Sequence, residues 1–341
     1  MAGRQPFRSL VALAILCLFA AGARAQRVEE FYAGNVLTLY VGFSAGGGYD
    51  VYGRLVGRHI GKHIPGHPTV VVVNMDGAGS LKLANWLYSA APKDGSVIGT
   101  VNRGAPFEPL VGAQEFARFD PTKFTWLGSA NDEISVCVTW ERTGISSFEE
   151  LYEKELIVGG TGPAGDDPLV KLVAGVLGAR LRLVTGYAGG NEANFAMERG
   201  EVDGRCGWSW SSIRSTHQRW LDNGNIEVLL QLGLRKHPEL PGVPLVMDLA
   251  RTAEERQILR LVLMRGVLGR PFLAPPGLPA DRATALQAAF EATMADLEFL
   301  AEAARLRLEI APISGTEIQR LVAEAYSTPP DVVAKTRIIL R

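Results

Sequence analysis

Cysteine is scarce in this 341-residue chain: only Cys17, Cys137 and Cys206 occur. A small scaffold stapled by disulfides is thereby excluded, and the length suggests about two domains with sizeable cores of their own. An excess of charge of either sign is lacking too. The 35 basic and 36 acidic side chains nearly cancel, and 6 Trp, 13 Phe and 8 Tyr accompany them, which excludes a disordered acidic chain and a basic nucleic-acid binder. Long apolar runs are missing as well. The uncharged stretch from Leu10 to Ala21 is twelve residues long, well short of the ~20 a helix needs to cross a bilayer. What the chain has in excess is glycine, 38 residues or about 11% against a usual ~7%.

The N-terminus reads as an export signal. Arg4 and Arg8 precede the apolar run, and Ala23-Arg24-Ala25 offers small residues at the two positions a signal peptidase reads. A lipid anchor on Cys17 is disfavoured, because Leu16 stands where a small residue is expected. Residues 1–25 are therefore expected to be removed, with cleavage after Ala25, leaving 316 residues that carry 32 basic and 36 acidic groups. In an oxidising compartment Cys137 and Cys206 could pair. Their spacing carries no signature, and two buried free thiols fit equally well.

Along the chain, strand and helix patterns alternate. Val36 to Phe43 reads as a buried strand, Ser44 to Asp50 as a glycine-rich turn, and Val51 to Ile64 as a helix with apolar residues at helical spacing, stopped by Pro65. Thr69 to Val73 predicts a second strand, Leu81 to Ala91 a helix and Val97 to Val101 a third strand. Further strands are predicted at Ile134 to Thr139, Leu156 to Gly160 and Val228 to Leu232. Helices are predicted at Glu254 to Met264, Asp281 to Ala304 and Thr316 to Tyr326, and Phe272 to Pro279 reads as an extended connector. Such alternation argues for an α/β protein, with mostly parallel sheets flanked by helices and ligands at the carboxyl ends of the strands. No low-complexity linker separates its parts.

A weak internal repeat joins two of the loops. Val41 to Asp50 aligns without gaps on Val158 to Asp167, with four identities and one Ser/Thr pair. Each segment follows a strand and opens a helix, and Asn74 to Ser80 is a third loop of short residues entering a helix. Free backbone N–H groups and the positive end of the helix dipole make such places anion sites, and glycine lets a ligand come close. Tight βα turns also use glycine, so any one loop alone decides nothing.

Other chemistries fit less well. Gly42-Phe43-Ser44-Ala45-Gly46 matches the G-x-S-x-G elbow of serine hydrolases, but Ser44 lies on the first strand, and the downstream histidines, His217 and His237, sit in no recognisable pattern. No Gly-Lys-Ser/Thr follows a glycine loop, and Gly77-Ala78-Gly79 lacks a third glycine, so neither nucleotide motif is present. His59, His63 and His67 are spaced like metal ligands, but Pro65 breaks the helix between the last two.

The runs GFSAGGGYDVYGRLVG from Gly42, NMDGAGSLKLAN from Asn74 and AAPKDGSVIGTV from Ala90 are similar to the solute-binding proteins of tripartite tricarboxylate transporters, the Bug-type receptors. Tyr187-Ala188-Gly189-Gly190, Gly200 to Asp203, Leu240 to Pro244 and Phe272 to Pro279 resemble that family's later segments in the same order. The resemblance implies a periplasmic-binding-protein fold of type II, with one lobe from 26–131 and 248–341, the other from 132–247, and a ligand cleft between them. It implies a periplasmic, monomeric receptor that captures a small mono- or dicarboxylate and delivers it to membrane permease subunits. No catalytic residue, cofactor, metal or nucleic acid is expected. Presentation of the ligand to a membrane sensor kinase is the alternative role, and an exported hydrolase using Ser44 a weaker one.

Carried onto matching positions, the first-lobe contacts are backbone groups and bridging waters of Phe43, Ser44, Ala45, Gly46, Gly47 and Asp50, then of Gly77, Ala78, Gly79 and Ser80. The second lobe contributes Thr161 and Gly162, then Tyr187, Gly189 and Gly190. Asp203 ends a strand there, with a ligand contact or a structural role. Some positions depart from the pattern: Tyr49 replaces a small residue, and Asp76, Asp166 and Asp167 place carboxylates in the loops, which disfavours a trianion such as citrate. Arg103 is placed to meet a second carboxylate with a bidentate pair, an exposed surface arginine being the alternative. Trp208 and Trp210 either line the cleft or form a buried pair.

Overall fold

The computed structural model describes residues 28–112 and 114–341. The expected signal segment and its cleavage site lie outside them. Among the described residues, no helix is long and apolar enough to cross a membrane.

Two mixed sheets organise the chain. The first holds β1 (Val36–Val41), β2 (Thr69–Asn74), β3 (Val97–Thr100), β4 (Thr125–Ser129), β10 (Pro271–Ala274) and β11 (Ile313–Ser314), in the order β11-β4-β10-β3-β1-β2. β1 runs parallel to β2 and β3, whereas β10 lies antiparallel between β3 and β4. The second sheet holds β5 (Ser135–Trp140), β6 (Leu156–Gly159), β7 (Leu181–Val184), β8 (Gly204–Ser209) and β9 (Ile226–Leu232), in the order β7-β6-β8-β5-β9. There β6 is parallel to β7 and β8, and β5 is antiparallel to β8 and β9.

The parallel pairs are the βα units whose periodicity is legible in the sequence, since a parallel neighbour needs a crossover helix. Helix α1 (Gly48–Ile60) follows β1 and buries Tyr52, Leu55, Val56 and Ile60 on the sheet. Gly53 and Gly57 let it approach closely, because a Cβ at either would collide with Val41 or Val72. Helix α2 (Leu81–Ser89) follows β2.

Three expectations are corrected. Phe272 does not begin a connector: Pro271–Ala274 is a fully buried central strand. The predicted helix Asp281 to Ala304 is two helices, Ala280–Met294 and Leu297–Arg305, with Asp296 capping the second through the N–H groups of Glu298 and Phe299. Asp203 precedes β8 rather than ending a strand. Its backbone ties Trp140 to Ile157 across the second sheet.

The chain passes between the sheets after β4 and returns before β10, and these crossings run side by side. Glu133 N–H donates to Gly266 O, and Ala130 N–H to Arg270 O. Gly269, at φ +43°, lies so close to Asn131 that a Cβ would strike its carbonyl oxygen. One continuous apolar cluster runs from Leu83 and Phe107 beneath the first sheet to Leu156 and Leu172 beneath the second. The C-terminal helix Pro330–Leu340 packs on the helices Asp167–Leu172 and Ala253–Leu263. Cys137 and Cys206, paired across β5 and β8, are joined by a disulfide.

Candidate ligand-binding cleft

A cavity of about 40 Å³ lies between the two sheets. The first-sheet side contributes Phe43, Gly47, Gly48 and Tyr49 at the N-terminus of α1, with Asn102 and Arg103 just beyond β3. The second contributes Thr161, Gly165, Asp166, Gly190, Arg205, Trp208 and Ser209. Arg265 and Arg270 enter from the returning crossing. Four arginines thus converge on one small space, and all are buried, at 4% exposure for Arg103 and Arg265, 3% for Arg205 and 1% for Arg270.

The four are not equivalent. Arg205 donates to Asp166 at 2.5 Å and to Asn194 at 2.8 Å, and stacks on Trp208 at 4.9 Å. Arg270 pairs with Glu133 at 3.1 Å, donates to Ser211 and Ser212, and lies over the rings of Tyr49 and Tyr52. The Arg103 guanidinium donates to the hydroxyls of Ser209 and Ser135, and its backbone N–H to the Tyr49 hydroxyl. Arg265 donates to Asn102 Oδ1 and to the carbonyls of Ala164 and Gly165. Among the described residues no carboxylate forms an ion pair with Arg103 or Arg265. Burial pulls Arg265 down to about 10, Glu108 opposing this and the like charge of Arg103 adding to it. It nevertheless stays charged at neutral pH. A buried charge without an ionic partner is costly, so negative charge placed in the cavity would be favourable.

The glycine loops serve this cavity unevenly. Phe43 and Gly47 line it, with Phe43 stacked on Tyr49 at 4.7 Å. Asp50 instead folds back on its own loop, accepting from Gly46 N–H, Asn74 and Arg54 at 2.8 Å each. Burial would raise its pKa, but these donors outweigh burial and hold it below the usual carboxylate value. The repeat reproduces the device: Asp167 accepts from Gly162 N–H at 3.0 Å and from Thr185 Oγ1. Here burial wins and raises the pKa. Each loop therefore carries its own anion, and neither Asp is the N-cap, since both sit inside the first turn.

Asp166 is turned into its pair with Arg205, so Asp50, Asp166 and Asp167 are satisfied within the protein.

Of the remaining predicted positions, Thr161 and Gly190 line the cavity and the others lie around it. Gly79, at φ +63°, meets the backbone of Ala164 and Gly165, and Gly162 meets Ala78, so the second and third loops close on each other. Gly77 packs by Lys82, and Ser80 Oγ accepts from Asn102 N–H at 2.7 Å. Ser44 Oγ donates to Glu192 at 2.7 Å, and Asn191 to Ala45 O at 3.0 Å, joining the lobes at the rim. Gly189 lies against Ser44, while Gly190 reaches the cavity. Thr161 lines the cavity too, and Tyr187 packs against Gly159.

The elbow reading of Ser44 fails on this geometry, because its partner is a carboxylate and not an imidazole. His217 is enclosed by Trp208, Trp220 and Asn194, and His237 faces Glu309. Arg103 is buried in the cavity wall rather than exposed. Trp208 lines the cavity, whereas Trp210 bonds Glu239 outside it.

Sequence reasoning missed Arg205, Arg265 and Arg270. The available signal was their setting: Arg265 and Arg270 are the only charges between Leu261 and Ala280, a stretch apolar enough to be buried.

No protein-family profile matches the chain, and no curated protein matches its sequence. Solved structures do match. The periplasmic binding protein BugD aligns with a TM-score of 0.71 at 18% identity, over 90% of this chain and 98% of its own. MatC from Rhodopseudomonas palustris, solved with bound malate, gives 0.69 at 18% identity over 90% and 99%. An R. palustris protein solved with adipate gives 0.68 at 19% identity over 89% and 97%. The fold is thus that of the Bug-type periplasmic binding proteins, two sheet-centred lobes enclosing a cleft.

Proposed function

We propose that this protein is a periplasmic solute-binding receptor that captures a small organic carboxylate between its lobes and delivers it to a tripartite-type membrane transporter. In this reading residues 26–131 and 248–341 form one lobe and 132–247 the other. The observation that carries it is the burial of Arg103 and Arg265 in the interlobe cavity with no ion pair to a carboxylate among the described residues, Glu108 easing the Arg265 charge only from a distance. The N-terminus of α1, at Gly47 to Tyr49, adds unpaired N–H groups and a positive dipole end to the same space. Malate and adipate in two proteins of like fold support a carboxylate as the anion.

Lobe closure is the mechanism. Arg103 extends from beyond β3 to Ser135 and Ser209 of the second sheet, and Arg265 reaches the loop after β6. An anion at these guanidiniums favours the state in which the lobes meet and shifts the open–closed equilibrium by its differential affinity. Calorimetric titration with dicarboxylates, paired with recovery of the ligand, tests this. Saturable binding of unaltered ligand is expected, weakened at least tenfold in Arg103→Ala. Chemically altered ligand, or equal affinity in the variant, would overturn the reading.

A further inference from the structure

Two loops meet just outside the cavity wall. Phe43 and Gly47 line the cavity from one side and Gly190 from the other, whereas Ser44, Ala45, Asn191 and Glu192 do not. These four face one another across the rim. Ser44 Oγ donates to Glu192 Oε2 at 2.7 Å, and Asn191 Nδ2 to the Ala45 carbonyl at 3.0 Å. Ser44, Asn191 and Glu192 are half-buried, the last two in the opening turn of the helix Gly190–Glu198. The fit is reciprocal. A Cβ at Gly46, whose φ is +83°, would strike the Asn191 amide, and one at Gly189 would strike the Ser44 hydroxyl. Each loop thus omits a side chain where the other places a polar group, and glycine permits that approach.

We infer that Asn191 and Glu192 are the latch of the closed state: they fasten the second lobe to the loop after β1 and set how long a bound solute stays, without touching it. The inference rests on the receptor reading. A solute enters while the lobes are apart and the latch is unmade, so its association rate owes nothing to these residues. Release requires the lobes to part, and parting breaks both bonds. A hydrogen bond to a charged group shifts an equilibrium by about tenfold and one between neutral groups by about fivefold. Because both bonds lie outside the wall, they hold every solute alike.

The experiment is stopped-flow binding and release of malonate, malate and adipate, followed by tryptophan fluorescence, Trp208 lying in the cavity wall. In Glu192→Ala, release is expected to be about tenfold faster and association unchanged, with the ranking of the acids preserved. Asn191→Ala should act in the same direction by about fivefold, and Glu192→Gln, which keeps an acceptor for Ser44, should recover part of the loss. Unchanged release in Glu192→Ala, a loss carried by the association rate, or a loss confined to one acid would overturn the inference, because the residue would then be idle or in contact with solute. A second measurement needs no solute. The protein carrying Ser44→Cys with Glu192→Cys, treated with a short bis-methanethiosulfonate linker in dilute solution, is expected to become cross-linked within one chain, read by mass spectrometry. No cross-link would show that the loops do not meet, which overturns the latch and leaves the receptor reading standing. A cross-link in a protein that binds none of the acids would overturn the receptor reading and with it the holding of a solute.

Discussion

Replacing Arg265 with Met is expected to abolish anion binding while leaving the unliganded protein almost as stable as before. Holding this guanidinium charged with its pKa pulled from 12.5 to about 10 costs about 3 kcal/mol, at ~1.4 kcal/mol per unit. The substitution removes that penalty. It also strips a donor from Asn102 Oδ1 and from the carbonyls of Ala164 and Gly165, at about 1 kcal/mol each. The two effects nearly cancel, so the unliganded stability should change by no more than ~1 kcal/mol. Arg270→Met provides the contrast, because it strands Glu133, buried at 4% exposure, and breaking one side of a buried pair costs about 3–5 kcal/mol. The assay is urea unfolding followed by tryptophan fluorescence at pH 7, with and without malonate. Malonate should raise the midpoint of the unsubstituted protein by mass action and leave that of Arg265→Met unmoved. A loss above ~3 kcal/mol in unliganded Arg265→Met, equal to that of Arg270→Met, refutes the reasoning. The guanidinium would then be a structural group balanced by Glu108 and not one awaiting a ligand.

Two further outcomes follow from the packing around the cleft. His217 is pushed down to about 4 by burial, with the Arg205 charge adding to it. The unfolded chain therefore binds the proton more readily, and stability should fall as pH drops from about 6.5 to 4, by on the order of 3 kcal/mol. His217→Gln should flatten that part of the profile of urea midpoint against pH, and an unchanged slope would clear His217 of the effect. Gly79→Ala places a Cβ against the backbone of Ala164 and Gly165 at a positive φ. Anion affinity should drop at least tenfold with circular dichroism unchanged, whereas full affinity would show that closure does not require these loops to touch.

Among the parallel strands β1, β2, β3 and β6 were legible, because they are short apolar runs followed by loops that open helices, whereas β7 and β8 were missed. Of the antiparallel strands, β5 and β9 were anticipated by the apolar runs Ile134 to Thr139 and Val228 to Leu232, whereas β4, β10 and β11 were not. Pro271–Ala274 begins with proline and leads into Pro275-Pro276, a pattern that locally reads as extended chain. Its burial comes from insertion between β3 and β4, a pairing with residues more than a hundred positions away. The Cys137–Cys206 disulfide depends likewise on β5 lying against β8.

For the site, the helix-opening loops were found, and the structure brings Phe43, Gly47, Thr161 and Gly190 to one cavity with Arg103. What escaped was the division of labour. Asp50 and Asp167 look like caps beside a glycine loop, and only the fold reveals that they turn back to occupy its N–H groups. Part of the glycine excess likewise serves packing, as at Gly53 and Gly57.

The self-satisfied loops and the unsatisfied arginines are two sides of one arrangement. A loop whose N–H groups are bound by its own carboxylate has less to offer a ligand, so capture passes to the side chains. Overall charge cannot steer an anion to a chain with 35 basic and 36 acidic groups, but four guanidiniums need only be concentrated where the lobes meet. When the lobes are apart these groups can be hydrated. On the receptor reading, closure buries Arg103 and Arg265, and without an anion it carries a desolvation penalty that Glu108 offsets only in part at Arg265. Relieving about 3 kcal/mol at Arg265 alone corresponds to a shift of roughly a hundredfold in the closed-to-open ratio. On the proposed receptor reading, the two residues assigned to the ligand would also make closure conditional on it, so that only the loaded form is closed.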